Sequence, residues 1–312
     1  MNPAPPPLSQ TRRVRCHVHP LFGAHDPGSH PESPARYAAA LAAVRARPER
    51  ALEVVATAAP REAVDAVHDP RFVDALQRFC RQGGGSIDSD TAVSADSFEA
   101  ALRASGAAIA AVADALAGGP GFAFGRPPGH HAERARAMGF CLINHVAVAA
   151  ADARRRGLER LAVVDWDAHH GNGTQALFLD DPNVLYASIH QFGSGFYPGT
   201  GDHRERGGDA ALGATLNVPL AAGTSAADHL AAFREVIVPA VAAFRPGVIV
   251  VSAGFDAHRD DPLCSLALTE PDFAAMATDL LELGPVAFVL EGGYDLDALR
   301  GGVGAVLDAA TA

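Results

Sequence analysis

The sequence predicts a single α/β domain built on a mainly parallel sheet, and three observations carry that expectation. From Phe122 onward, short apolar runs rich in valine alternate with helical stretches, the pattern of repeated strand–helix units. Four polar clusters, around His130, Asp167, Asp256 and Tyr294, each fall just after one of those runs. Loops that follow the strands of a parallel sheet converge at one edge, where ligands bind, so the four clusters are expected to share a pocket. Finally, no linker-like break, repeat or low-complexity segment interrupts residues 14–312.

The elements follow in order. Residues 1–13 are Pro-rich without an apolar core and read as a flexible tail, not a signal peptide. Residues 14–19 form a strand, followed by a Pro/Gly-rich loop, a helix over 35–46 and a strand over 52–56. Residues 63–80 carry helical spacing with an expected break at Asp69-Pro70. A loop through Gly83-Gly84-Gly85 and Asp88-Ser89-Asp90-Thr91 precedes a long Ala-rich helix over 97–116, stopped by Gly118-Gly119-Pro120. Residues 122–124 form a strand leading into Arg126-Pro127-Pro128-Gly129-His130-His131, then a helix spans 142–156. The run 161–164 is a buried strand that ends in Asp165-Trp166-Asp167-Ala168-His169-His170-Gly171. A short helix (174–179), strands over 184–190 and 215–220, a helix over 225–244 and a strand over 247–252 follow. The chain closes with a helix over 272–283, a strand over 286–290 and a helix over 296–307.

Composition narrows the functional classes. With 48% hydrophobic residues, 312 residues can bury a sizeable core, and the low aromatic content, 6%, predicts Ala- and Gly-lined helices packed closely on the sheet. A net charge of -11 argues against a nucleic-acid partner, which calls for a basic face. No run of about 18 apolar residues occurs, so no membrane span is expected. Cys16, Cys80, Cys141 and Cys264 lie far apart without a CxxC pair and read as reduced core thiols of a cytoplasmic protein.

The chemistry concentrates in the four clusters. Asp165, Asp167 and His169 alternate, so an extended chain would point their side chains the same way. Asp167, His169 and Asp256 together would supply two carboxylate oxygens and one imidazole. Zinc accepts such a set and keeps a position open for water; ferrous iron, manganese and cobalt accept it too. An isolated aspartate near glycine is ordinarily a turn or cap residue, but the Asp-x-Asp-x-His-His run favours a metal. His130 and His131 follow a rigid turn, which suits acid–base work near neutral pH, although tandem histidines alone are commonly structural. Tyr294, after Gly292-Gly293, would place a phenol where charge develops on a carbonyl oxygen. Trp166 faces the other way and reads as core. His170 is assigned no role.

Together these motifs resemble the histone deacetylase family, including its bacterial homologues and the acetylpolyamine amidohydrolases. The likeness runs from His30-Pro31-Glu32-Ser33-Pro34-Ala35-Arg36 to Glu291-Gly292-Gly293-Tyr294, and is most specific at 126–132, 165–173 and 252–262. It implies the three-layer arginase/deacetylase fold and a zinc-dependent amidohydrolase that removes acetyl from the ε-amine of acetyl-lysine. By that resemblance Asp167, His169 and Asp256 are the zinc ligands, His131 the general acid–base and His130 the electrostatic helper. Asp165 supports His130, and Asn172, the class II residue where class I carries aspartate, supports His131. Tyr294 is the transition-state tyrosine. Gly139, Phe140 and Tyr197 line the substrate tunnel, and Asp90 is a rim residue gripping substrate backbone. Potassium is implied near the main chain of Asp165, Asp167 and His169 and the pair Ser188 and Ile189.

Within the family the competing expectation is an acetylpolyamine amidohydrolase. Leu263 stands after Asp261-Pro262, where a polyamine-selective relative has glutamate, and favours acetyl-lysine. A non-catalytic module binding metal or acetyl-lysine is a further alternative, disfavoured because no ligand nor Tyr294 is missing. An arginase-type ureohydrolase is disfavoured by the tandem histidines.

Overall fold

A computed structural model of the chain describes residues 13–312; apart from Arg13, the expected tail lies outside the described residues. Strand β1 (Val14–Val18) passes through a 3-10 turn (Pro20–Gly23) to helix α1 (Pro34–Arg45) and strand β2 (Ala51–Val55). Helices α2 (Arg61–Asp65) and α3 (Pro70–Arg81) divide at the expected break. Pro70 opens α3 because its missing N–H costs nothing there, and Asp69 caps it by accepting from the Arg71 amide. The stretch expected as a loop contains a short antiparallel ribbon, β3 (Gly85–Ser86) with β4 (Ala92–Val93).

Helix α4 (Ser97–Leu116) and strand β5 (Gly121–Ala123) follow, then helix α5 (His145–Arg155), which starts later than its apolar pattern suggests because Asn144 caps it by accepting from the Ala147 amide. Next come β6 (Leu161–Asp165), α6 (Asn172–Phe178), β7 (Val184–Gln191) and β8 (Thr215–Leu220). The single helix expected over 225–244 is instead α7 (Ala226–Ala232), a π-helical turn over Phe233–Ile237, and α8 (Val238–Phe244). Pro239 has no N–H for the carbonyl four residues back, so the ladder is interrupted at this point. Strand β9 (Ile249–Ala253), helix α9 (Glu270–Leu281) with a Thr269/Asp272 capping box, strand β10 (Val286–Leu290) and helix α10 (Leu296–Ala309) complete the chain.

Eight strands form one sheet in the order β2-β1-β5-β10-β9-β6-β7-β8, every neighbouring pair parallel. Strands β6, β9 and β10 are buried along their whole length, as continuous apolar runs must be when both faces are covered. Helix α4 packs on α5, while α10 packs on α1 and α9. The parallel order brings the carboxyl ends of β5, β10, β9 and β6 side by side at the sheet centre, and all four polar clusters leave the sheet there.

Candidate active site

Strand β6 ends at Asp165. Asp167 and His169 therefore lie in the following loop, and strand alternation is not what aligns them. Asp165, fully buried, turns to His130: its Oδ2 is 3.1 Å from His130 Nδ1 and also accepts from the Tyr186 hydroxyl at 3.3 Å. Asp167 meets instead Asp256, from the loop after β9. His169 Nδ1 is 2.9 Å from Asp256 Oδ2 and 3.3 Å from Asp167 Oδ1. Backbone amides hold both carboxylates in place: Gly292 N–H donates to Asp167 Oδ2 at 2.7 Å and Ala168 N–H to Asp256 Oδ1 at 2.8 Å. Gly292 is obligatory, since a Cβ there would sit 2.5 Å from Asp167 Oδ2.

The ligand atoms of Asp167, His169 and Asp256 all lie within 4.8 Å of one another. Both aspartates are fully buried, and burial with the neighbouring Asp167 charge pushes Asp256 up to about 7. Two facing carboxylates sharing one imidazole leave a negative, oxygen-rich point that a divalent cation would balance. The donor set fits zinc, with a position left for a fourth ligand.

The tandem histidines are held from behind. Burial alone would lower His130, but the Asp167 and Asp165 charges raise it to about 10. His131 is driven well below its usual range by burial and by the neighbouring His130 and His169, and its Nδ1 lies 2.8 Å from Asn172 Oδ1. Glu291 Oε2 accepts from the Gly129 and His130 amides at 2.6 and 3.1 Å, tying the turn to the loop after β10. Arg126, fully buried, pairs with Glu32 at 2.5 Å, and Glu32 pairs with Arg36 at 2.8 Å. Arg36 in turn donates to the carbonyls of Glu291 and Gly293 and lies 4.9 Å over the Tyr294 ring. Burial, opposed by Arg36, keeps the Tyr294 phenol protonated well above 10.

A pocket of about 310 Å³ opens over these groups, lined by His131, His169 and Tyr294 together with the expected Asp90, Gly139, Phe140, Tyr197 and Leu263. Asp90 is fixed by Thr91, whose hydroxyl donates to its Oδ1 at 2.9 Å and accepts from the Phe140 amide at 3.1 Å. Ser188 and Ile189 stand on buried β7, with Ser188 paired in register with Asp165, and do not line the pocket.

Sequence reading missed Phe196, which stacks on His169 with ring centres 5.0 Å apart and planes within 6°; its place beside Tyr197 in a glycine-rich loop was the available signal. It also assigned no pairing to Glu32, Arg36 and Arg126, which lie in two motifs about 90 residues apart in sequence and meet only in the fold. His170 points away from the cluster, its nitrogens 2.8 Å from Thr200 Oγ1 and 3.0 Å from Gln175 Oε1, which gives it a structural place.

The fold is shared with a solved histone deacetylase domain and with an acetylpolyamine aminohydrolase. The chain belongs to the histone deacetylase family, whose histone deacetylase domain matches residues 30–310. It is 39% identical over 287 residues to histone deacetylase 15 of Arabidopsis thaliana, covering 89% of this chain and 52% of that protein. It thus spans about half the length of that relative. The crystal structure of the HDA15 HD domain matches with a TM-score of 0.93 at 36% identity, covering 96% of this chain and 88% of that one. The acetylpolyamine aminohydrolase of Burkholderia pseudomallei matches with a TM-score of 0.88 at 29% identity, covering 95% and 98%. Among the described residues, no helix is long and apolar enough to cross a membrane.

Proposed function

We propose that this chain is a zinc-dependent deacetylase that hydrolyses the acetamide of acetyl-lysine side chains to acetate and free amine, with residues 14–312 as its catalytic domain. One observation carries the reading: His131, His169 and Tyr294 line a single pocket directly over the Asp167–His169–Asp256 cluster. Those three residues would hold zinc, which when bound polarises a carbonyl and lowers the pKa of water. His131, its Nδ1 engaged by Asn172, uses Nε2 to take a proton from the attacking water and returns it to the leaving nitrogen. The Tyr294 phenol donates to the developing oxyanion. His130, backed by Asp165, is the electrostatic helper. Phe140, Phe196, Tyr197 and Leu263 enclose an aliphatic stem and keep water off it, while Asp90 at the rim engages substrate amides. Potassium is proposed beside the joined ends of β6 and β7, at the main chain of Asp165, Asp167, His169, Ser188 and Ile189. A cytoplasmic location is supported by four cysteines that are all unpaired. Nucleic acid and membrane are not proposed as partners.

The likeness to an acetylpolyamine aminohydrolase favours a second reading, acetylated small amines as substrate. Metal analysis of the purified protein, with acetate release from an acetyl-lysine peptide and from acetylputrescine side by side, decides. Bound zinc and faster release from the peptide are expected. Preference for acetylputrescine installs the second reading, and zinc with no release from either leaves a metal-binding module.

A further inference from the structure

We propose that Glu133 is a positioning residue which, acting through Asn172, fixes the ring nitrogen of His131 that carries the proton. The inference rests on the reading of His131 as the base. Asn172 Oδ1 lies 2.8 Å from His131 Nδ1, while Asn172 Nδ2 lies 3.0 Å from Glu133 Oε1 and 3.5 Å from Met138 Sδ.

An amide has one accepting end and one donating end, so the way it faces dictates the tautomer of the imidazole beside it. A carboxylate and a thioether accept and do not donate. Glu133 and Met138 therefore both claim the donating end of Asn172, and its accepting end is turned to His131. His131 Nδ1 must then be the N–H, and Nε2 is left as the free lone pair. With the amide reversed, two oxygens would face each other at Glu133, and His131 would need its proton on Nε2, where a base cannot have one. An aspartate behind His131 would impose the tautomer unaided; an asparagine does so only when its own orientation is imposed. Glu133 is well placed for this task. Its backbone is clamped by the Glu133–Arg136 bridge, with Glu133 N–H donating to Arg136 O at 2.9 Å, and Asn172 is only 8% exposed. The arrangement amounts to a carboxylate acting on His131 through one neutral amide.

Three measurements test this. Glu133→Ala should lower kcat for acetate release roughly tenfold with KM changed by less than about twofold, while Glu133→Gln, which keeps an accepting Oε1, recovers most of the loss. In an Asn172→Asp background, where a carboxylate faces His131 directly, Glu133→Ala should cause no further loss. Nitrogen-15 NMR of labelled histidine should show His131 protonated at Nδ1 in the native chain and as a mixture of tautomers in Glu133→Ala. Native kcat in Glu133→Ala, equal losses in the alanine and glutamine variants, or an unchanged tautomer would overturn the proposal. If the native chain releases no acetate from any substrate, the functional reading fails, and the tautomer measurement still decides the role of Glu133.

Discussion

Tyr294 is held by groups remote from it in sequence. Its amide donates to Asp261 Oδ2 at 2.6 Å, and Arg36 fastens the chain just before it through the Gly293 and Glu291 carbonyls. That leaves the phenol as the one part of the residue free to act on substrate. Tyr294→Phe removes a single donor and no packing, so deacetylation should fall by about a hundredfold or more while zinc content and thermal midpoint stay put. Near-native turnover in that variant would refute the role given to the phenol. His131, Asp167, Asp256 and Tyr294 were marked out as candidates by residue type, by the Asp-x-Asp-x-His-His run and by their places just after strands. Phe196 and Glu133 were not: Phe196 had only its place beside Tyr197 to mark it and a glutamate in a loop has no such mark, and only the folded chain sets Phe196 on His169 and Glu133 on Asn172.

Helix α4 explains why so few aromatics suffice. Its inner face is Ala100, Ala101, Ala104, Ala107, Ala108 and Ala111, all fully buried, which lets neighbouring backbone come very close. The closest approach is at Gly106, where a Cβ would run into the Thr57 carbonyl oxygen and also meet Ala58 C and Ala59 N, each at 2.9 Å. The same segment is tied to the helix by Ala59 N–H donating to Leu102 O at 2.8 Å, so it cannot swing away. Two effects compete in Gly106→Ala: alanine is the better helix former by about 1 kcal/mol, whereas overpacking against rigid backbone costs roughly 1–3 kcal/mol or more. The clash is with main chain, so destabilisation wins, and the urea midpoint should drop; a rise would show that the segment yields. Sequence periodicity located this helix to the residue but could not say which of its small residues was indispensable.

At the scale of the whole molecule, several histidines are buried as neutral rings. Burial lowers His68, His145 and His229 from 6.5 to about 4 each. His145 is bracketed by Ser105 Oγ and Pro127 O at 2.9 Å each, whereas neither nitrogen of His229 has a partner. A lowered folded pKa means the unfolded chain binds protons first, so stability rises with pH between the two values. The contribution of these rings is complete above about pH 6.5 and is lost as pH falls toward 4. The urea midpoint of the native chain should therefore decline from pH 7 to pH 4.5, and His229→Leu, which deletes an unpartnered buried ring, should decline less. Parallel profiles for the two would refute the assignment to His229. The fold class and most elements were legible because apolar period and turn residues act locally, and the polar clusters were legible because they follow strands. Unreadable were the strand order, the π-helical turn before α8 and the frame of Glu32, Arg36 and Arg126. Each of these depends on which distant segments share a surface, and contact across that distance is settled by packing and charge pairing in three dimensions, not by neighbours along the chain.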